Sequence, residues 1–339
     1  MDKVIVGVIG YGYWGPNLVR NFHTLPGSRV SRIADLSESR RRHATELYNG
    51  AIEVSADHRE ILDDESVEAV VIATPVRTHF PLARAALEAG KHVFIEKPLT
   101  ASVAEGEELV ALAEAQGRVL MVGHIFEYNP AVNKLKELVH AGELGKIMYV
   151  AMARLNLGLF QEDINVLWDL APHDVSIVNY LLWREPEAVC ANGACNINPE
   201  IEDVAFVTLY YPDNVIAHLH LSWLDPCKVR RTTIVGDKKM AVYDDMSAAE
   251  PIKIYEKRVS RQPYLETFGE FRLHYSSGDI FSPRVEATEP LKLECADFLA
   301  AIAQGTKPRS DGASGLRVVR ALEAAQTSLR EAGRKVATR

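Results

Sequence analysis

The chain opens on 3-KVIVGVI-9, a nearly continuous apolar and β-branched run. A strand with one wet face alternates, so an unbroken run of this kind predicts a parallel strand covered on both faces. After 10-GYGYWG-15, residues Leu18, Val19, Phe22 and Leu25 return at helical spacing, with Pro16 in the first turn where its missing N–H costs nothing. The alternation continues. Strands are predicted at 30–35, 67–74, 92–97 and 118–124, and helices at 78–90 and 102–117 that stop at Gly90 and Gly117. Strands alternating with helices at this spacing predict a doubly wound parallel sheet, whose ligands sit beyond the carboxyl ends of the strands. From about 147 to 255 the pattern changes to strand-like runs at 203–211, 215–223, 229–236 and 239–244, joined by short turns such as 212-PDN-214. The expected architecture is α/β. A first domain over 1–123 is followed by a second over 124–339 built on a large sheet, and helices near 292–304 and 313–331 are expected to pack back on the first domain.

The six residues after the first strand carry specific chemistry because of where they stand. Gly10 permits the tight turn, Gly12 lets a pyrophosphate approach bare backbone, and Gly15 allows close packing of helix on strand. Tyr11, Tyr13 and Trp14 lie in the same turn. A second strand then ends in Asp35 at the interval expected for an acid that binds the adenosine ribose hydroxyls. This is the pattern of a Rossmann dinucleotide site. A carboxylate there repels a 2'-phosphate, so NAD is expected in preference to NADP, with Arg40, Arg41 or Arg42 able to soften the preference. The alternative role for Asp35 is a helix N-cap.

The carboxyl edge of the same sheet carries Thr74, Pro75, Thr78 and His79, expected along the nicotinamide side, and Glu96 with Lys97. A partly desolvated Lys97 ammonium at that edge can hydrogen-bond a reacting hydroxyl or carbonyl oxygen, with Glu96 offsetting or orienting its charge. Pro98 fixes the turn that aims the lysine, in either peptide isomer.

Composition narrows the class. A chain of 339 residues, 25% charged and 47% hydrophobic, with net charge -8, suits a two-domain globular protein and argues against a broad grip on nucleic acid or an anionic membrane. Cys190, Cys195, Cys227 and Cys295 form no Cys-x-x-Cys pair and stand in no zinc register, so they are expected as reduced, mostly packed thiols, and no metal site is signalled. With no signal peptide or membrane span in the pattern, a cytoplasmic location is expected.

A third chemical stretch, 154-RLNLGLFQEDINVLWDLAPHDVSIVNYLL-182, reads as a long polar loop entering a helix with Val175, Val178, Leu181 and Leu182 as its apolar stripe. Pro172 belongs in a first turn, so the helix is expected to start near Asp169. Asp169 and His173 then stack four residues apart, and the carboxylate can orient the imidazole and stabilise its charged form. The alternative readings are an N-cap and a packed core histidine. Asp174 lies about 100° round the helix and ranks below them. Arg154, Asn156, Gln161, Asn165 and Trp168 are candidates to hold a polyhydroxylated or phosphorylated sugar, the alternative for each being ordinary loop polarity. In 228-KVRR-231, strand alternation sends Arg230 and Arg231 to opposite faces, so one at most meets a substrate.

Together, 10-GYGYWG-15, 96-EKP-98 and 169-DLAPH-173 resemble the Gfo/Idh/MocA oxidoreductases, and 129-NPAVNKLKELVHAGELGKI-147 and 308-PRSDGASGLRVVRALEAA-325 extend the likeness through nearly the whole chain. The resemblance implies a Rossmann domain followed by an α/β domain with a large, mostly antiparallel sheet that often mediates dimers or tetramers. It implies Lys97 as the motif lysine, His173 as the histidine near the substrate hydroxyl and Asp169 as its partner. His124, Tyr128 and Asn129 would open the second domain at the cleft. Where the family often has a basic residue before the aromatic, this chain has Glu127, so no phosphate contact is carried to that position. Within the family, 154-RLNLG-158 and 165-NVLWDLAPHD-174 most resemble members that act on nucleotide sugars, and the implied activity is oxidation at C3 or its reverse. The alternatives are a free-sugar or inositol dehydrogenase, and a catalytically silent NAD or sugar sensor. The presence of both Lys97 and His173 favours catalysis.

Overall fold

Six parallel strands make the first sheet, in the order β3-β2-β1-β4-β5-β6. They are β1 (Val4–Ile9), β2 (Ser28–Ala34), β3 (Glu53–Ser55), β4 (Ala69–Ile72), β5 (His92–Glu96) and β6 (Leu120–Gly123). Helices α1 (Gly15–Thr24), α2 (Glu38–Leu47), α3 (Arg59–Leu62), α4 (His79–Glu88) and α5 (Val103–Ala115) supply the crossovers. The central strands are apolar on both faces because both faces are covered: Val6, Val8, Val70, Val71, Val93 and Phe94 have no exposed surface. The computed structural model describes residues 3–263 and 271–339.

The chain divides into one unit of Met1–Tyr128 with Thr288–Arg320 and another of Asn129–Ala287 with Ala321–Arg339. The first segment of the first unit closes at Tyr128. The reason is a 3-10 turn, Ile125–Tyr128, held by its own unit: Tyr128 is 2% exposed and its hydroxyl donates to Asp297 at 2.7 Å. Asp297 lies on α8 (Pro290–Gln304), which packs Leu291, Cys295, Phe298 and Leu299 into the first core. Rings of Phe22, Phe94 and Phe298 meet edge-on with centroids 5.7 to 6.1 Å apart, contacts worth about 1 kcal/mol each beyond their burial. Ser310 extends the sheet, accepting from Val122 N–H at 2.8 Å and donating its hydroxyl to Val122 C=O at 2.7 Å.

The second unit begins with α6 (Pro130–His140), β7 (Ile147–Leu157) and α7 (Val166–Leu182), and then meanders through β8 (Ala188–Ala194), β9 (Val204–Tyr211), β10 (Val215–Ser222), β11 (Leu224–Gly236), β12 (Met240–Asp244), β13 (Ile252–Pro263) and β14 (Phe271–Phe281). Helix α9 (Gly312–Arg330) and β15 (Val336–Ala337) end the chain. The nine strands run β14-β13-β12-β11-β7-β10-β9-β8-β15, antiparallel throughout except for the β7/β10 pair. Alternation is clean on β9 and β10. Val207, Leu209, Ala217 and Leu219 are buried, whereas Phe206, Ile216 and His218 face water.

Three expectations are corrected. The cysteines are not mostly packed: Cys295 is buried in the first unit, whereas Cys190 is half-buried and Cys195 and Cys227 are exposed on the second. Arg154 and Asn156 belong to β7 and not to a loop, because Val150, Met152 and Arg154 continue one inward-facing register. Helix α7 starts at Val166 and not near Asp169, so Pro172 lies inside it. Asn165 makes the early start possible by accepting Trp168 N–H on its side-chain oxygen at 3.1 Å, a cap worth roughly 1 kcal/mol.

Candidate active site

Strand β1 delivers the chain to Gly10, whose φ of +97° is left-handed and whose missing Cβ would lie 2.4 Å from Ala73 C=O. Gly15 opens α1 in equally close contact, since a Cβ there would sit 2.2 Å from Gly10 C=O. The N-cap residue Trp14 offers no side-chain acceptor to the helix, so the positive end of a ten-residue helix is left to a ligand. This geometry fits a dinucleotide pyrophosphate. Tyr11 turns inward and is 1% exposed, while Tyr13 is 87% exposed.

Asp35, directly after β2, is tied to the glycine turn. Its Oδ2 accepts Tyr11 N–H at 2.6 Å and its Oδ1 accepts Ser37 N–H at 2.8 Å. Ser37, not Asp35, is the N-cap residue of α2. Of the three arginines, Arg40 alone is placed against this carboxylate and the glycine turn, with a guanidinium nitrogen 3.8 Å from Asp35 Oδ2 and 3.2 Å from the position a Gly12 Cβ would take. Arg41 donates to the carbonyls of Asp35 and Leu36, and Arg42 pairs with Glu38.

At the carboxyl edge, His79 is 1% exposed and its two ring nitrogens lie 2.8 Å from the carbonyl oxygens of Pro98 and Thr74. It braces the 74–79 loop against the turn after β5. Burial holds its pKa below the usual histidine range, so the imidazole is neutral and donates to one of those carbonyls. Thr78 donates to Thr74 Oγ1 at 2.8 Å, and Pro75 precedes the short turn that carries them. Lys97 ends this edge, and its peptide bond to Pro98 is cis. Burial pushes Glu96 up to about 7 against the opposing pull of the Lys97 ammonium. His124, at the end of β6, is fully buried, which lowers its pKa to about 3; Lys97 and Arg317 add to the effect, and the ring is neutral.

In the second unit, Asp169 and His173 stand four residues apart on α7, one helical turn, with the carboxylate in the first turn of the helix. Trp223, which sequence reasoning passed over, donates its indole N–H to Asp169 Oδ2 at 3.0 Å. It is 1% exposed, and a buried indole needs an acceptor, which is the signal that a Trp closing the run 215–223 offered. Other polar candidates are engaged within the unit. Asn165 donates to Glu202 and Gln326, Trp168 donates to Gln326 at 3.1 Å, and Asn129 caps α6 and donates to Tyr243. Arg154 forms a buried ion pair with Asp174. Asn156 remains half-buried near the end of β7, and Gln161 is exposed. Arg230 and Arg231 take opposite faces, toward Asp245 and Asp244. Among the described residues no group of His, Cys, Asp and Glu is arranged to hold a metal ion, and no helix is long and apolar enough to cross a membrane.

Comparison with known proteins gives two family matches. A model described as oxidoreductase family, NAD-binding Rossmann fold, matches residues 4–124, and a GFO/IDH/MocA C-terminal domain model matches 132–242. A UDP-N-acetylglucosamine 3-dehydrogenase from Acidithiobacillus ferrooxidans is 29% identical over 326 residues, covering 95% of this chain and 96% of that protein. A solved structure of that dehydrogenase aligns at TM-score 0.79 and 26% identity, covering 98% of this chain and 99% of the other. The NAD-dependent scyllo-inositol 2-dehydrogenase of Bacillus subtilis is 32% identical over 203 residues, 58% of each chain.

Proposed function

The chain belongs to the Gfo/Idh/MocA family of oxidoreductases, with an NAD-binding Rossmann domain, and on that premise we propose that it moves a hydride between NAD and C3 of a nucleotide sugar. Its relatives include a UDP-N-acetylglucosamine 3-dehydrogenase, an NAD-dependent scyllo-inositol 2-dehydrogenase and a 2,7-anhydro-N-acetylneuraminate hydratase, and the chain is an oxidoreductase of the sugar type acting on CH–OH. The observation that carries the finer reading is likeness from end to end: the UDP-N-acetylglucosamine 3-dehydrogenase matches 95% of the chain, whereas four inositol dehydrogenases match 54% to 70%.

NAD, when bound, supplies the hydride acceptor. His173 removes the hydroxyl proton as the carbon is oxidised, and Asp169, fixed by Trp223, orients the imidazole and stabilises its charged form. Lys97 hydrogen-bonds the reacting oxygen and stabilises developing alkoxide charge. Arg154, Asn156, Asn165, Trp168, Tyr128 and Asn129 shape or touch the sugar's surroundings in this proposal. Five of them reach it through their partners: Arg154, Asn165, Trp168, Tyr128 and Asn129 have polar atoms already bonded within their own units.

A panel of UDP- and dTDP-sugars, free hexoses and inositols, followed by nicotinamide absorbance, tests the substrate. Turnover is expected with a nucleotide sugar; turnover confined to free polyols would overturn the reading in favour of the inositol-type alternative. Run with both cofactors, the panel also tests Arg40. NAD is expected to be preferred, and Arg40→Ala is expected to reduce residual NADP use about tenfold, the worth of one charge-assisted hydrogen bond, with little change for NAD. Equal loss with both cofactors would remove Arg40 from cofactor selection.

The water-facing side of the second sheet supports a homo-oligomer. Tyr149, Phe206 and Ile216 stand exposed on adjacent strands, with Phe206 stacked on His220 at 4.4 Å, and a second copy of the chain is the proposed occupant. Light scattering is expected to show a dimer or tetramer that Phe206→Asp dissociates. A monomeric wild type would end this part of the proposal.

A further inference from the structure

Strand β5 and helix α8 each present an aromatic and an acid on one face. Phe94 and Glu96 are two apart on a strand, and Glu294 and Phe298 are four apart on a helix, so each pair shares a face. The Phe94 and Phe298 rings touch at 5.7 Å, and Phe22 meets both at 6.1 Å. That contact fixes the register of helix on strand and brings the Glu294 carboxyl within the field of Glu96. Glu294 is 0% exposed, and neither of its carboxyl oxygens has a hydrogen-bond partner in the described structure; the same holds for Glu96 Oε1. The other Glu96 oxygen accepts Lys97 N–H at 3.3 Å, and the Trp14 side chain also donates to this carboxyl.

An unpartnered carboxyl in an apolar core cannot stay ionised, so Glu294 keeps its proton. Burial raises its pKa first, and the charges of Glu96, Glu127 and Asp297 raise it further. Asp297 is already bonded by Tyr128 O–H and Arg309 N–H, and the Cys295 thiol, raised by burial, is neutral; Glu289 beyond it is paired with Arg20. Glu127 also faces Glu294, and both bonds to Asp297 fall on its Oδ2; the acceptor on the strand face that the Phe94–Phe298 contact sets against α8 is the open oxygen of Glu96, whose carboxyl feels the Lys97 ammonium.

We propose that Glu294 is a positioning residue for the Lys97 end of the site: its carboxylic acid donates a hydrogen bond, directly or through one internal water, to Glu96 Oε1 and so holds Glu96 as the anionic counter-charge of Lys97. No proton is transferred; the O–H stays on Glu294 and only its acceptor is fixed. The functional part rests on the role proposed for Lys97. The carboxyl pair itself does not.

The test uses Glu294→Gln, which keeps a donor, and Glu294→Leu, which removes it and leaves an apolar residue of similar size. Infrared titration needs no substrate. Wild type is expected to keep a protonated-carboxyl band above neutral pH, and both variants to lose it. In the leucine variant the Glu96 titration, and with it the acid limb of the kcat profile, is expected to move up by about one pH unit, because a donor that favours the ionised form is gone. The glutamine variant is expected to stay near wild type. A wild type without that band, or a leucine variant with an unshifted Glu96 midpoint, overturns the proposal. If the infrared titration behaves as expected while no sugar is turned over, the reaction assignment fails and the carboxyl pair stands.

Discussion

His173→Ala is expected to lower kcat about a thousandfold on the true substrate while leaving NAD affinity within about twofold. The expected split follows from the fold. The imidazole belongs to α7 in the second unit, whereas the glycine turn, Asp35 and the carboxyl edge of the parallel sheet belong to the first. Loss of the base removes proton transfer from the reacting hydroxyl and touches none of the groups that hold the dinucleotide. A smaller, graded loss is expected for Asp169→Asn, since the amide still accepts the Trp223 N–H at the same place but no longer stabilises an imidazolium. Raising the pH is expected to recover part of the His173→Ala rate as hydroxide takes over proton removal. Stopped-flow reduction of NAD and fluorescence titration of NAD binding measure the two quantities separately. Turnover in His173→Ala above a tenth of wild type would strike it from the catalytic set, and a large loss of NAD affinity would show that its role is structural.

The first unit was legible because its chemistry sits on local pattern. Apolar runs, helical periodicity and a glycine turn between them place Gly10, Gly12, Gly15 and Asp35 with no long-range information, and the edge residues Thr74, His79, Glu96 and Lys97 follow from which strand end they terminate. What stayed hidden depends on pairing across the chain. Ser310 joins β6 through two hydrogen bonds to Val122, and Tyr128 is held by Asp297, so the first compact unit is completed by a segment far along the chain. No periodicity announces such contacts.

The second unit shows the complementary failure. Pro172 read as a helix start, yet α7 carries it in its interior, because the Asn165 cap and burial of Val166 and Leu167 outweigh one lost backbone hydrogen bond. The amide-rich stretch beginning at Arg154 read as a polar loop. A composition of that kind describes a loop equally well as a strand end whose polar side chains have partners waiting on a helix.

Arg154→Met is expected to destabilise the protein by roughly 3–5 kcal/mol, the typical result of removing one partner of a buried ion pair. Arg154 Nε and Nη2 both donate to Asp174 Oδ1, at 2.8 and 2.6 Å, with the side chains 8% and 2% exposed. Burial pushes Asp174 up and the guanidinium pulls it down, so the methionine variant strands a carboxyl in apolar surroundings with Oδ2 already unpartnered. The register adds a second constraint. Arg154 stands directly opposite Arg230 on β11, a repulsive placement that is tolerable because each cation has its own acid, Asp174 for one and Asp245 for the other. Removing both charges is therefore expected to be far gentler than removing one: Arg154→Met with Asp174→Leu should regain most of the melting temperature lost by Arg154→Met, a loss of about 10 °C for a unit of this size. Thermal unfolding of the two single variants and the double closes the cycle. If Arg154 instead serves chiefly to grip the sugar, Arg154→Met will melt like wild type and raise KM, and the double variant will bind no better than the single.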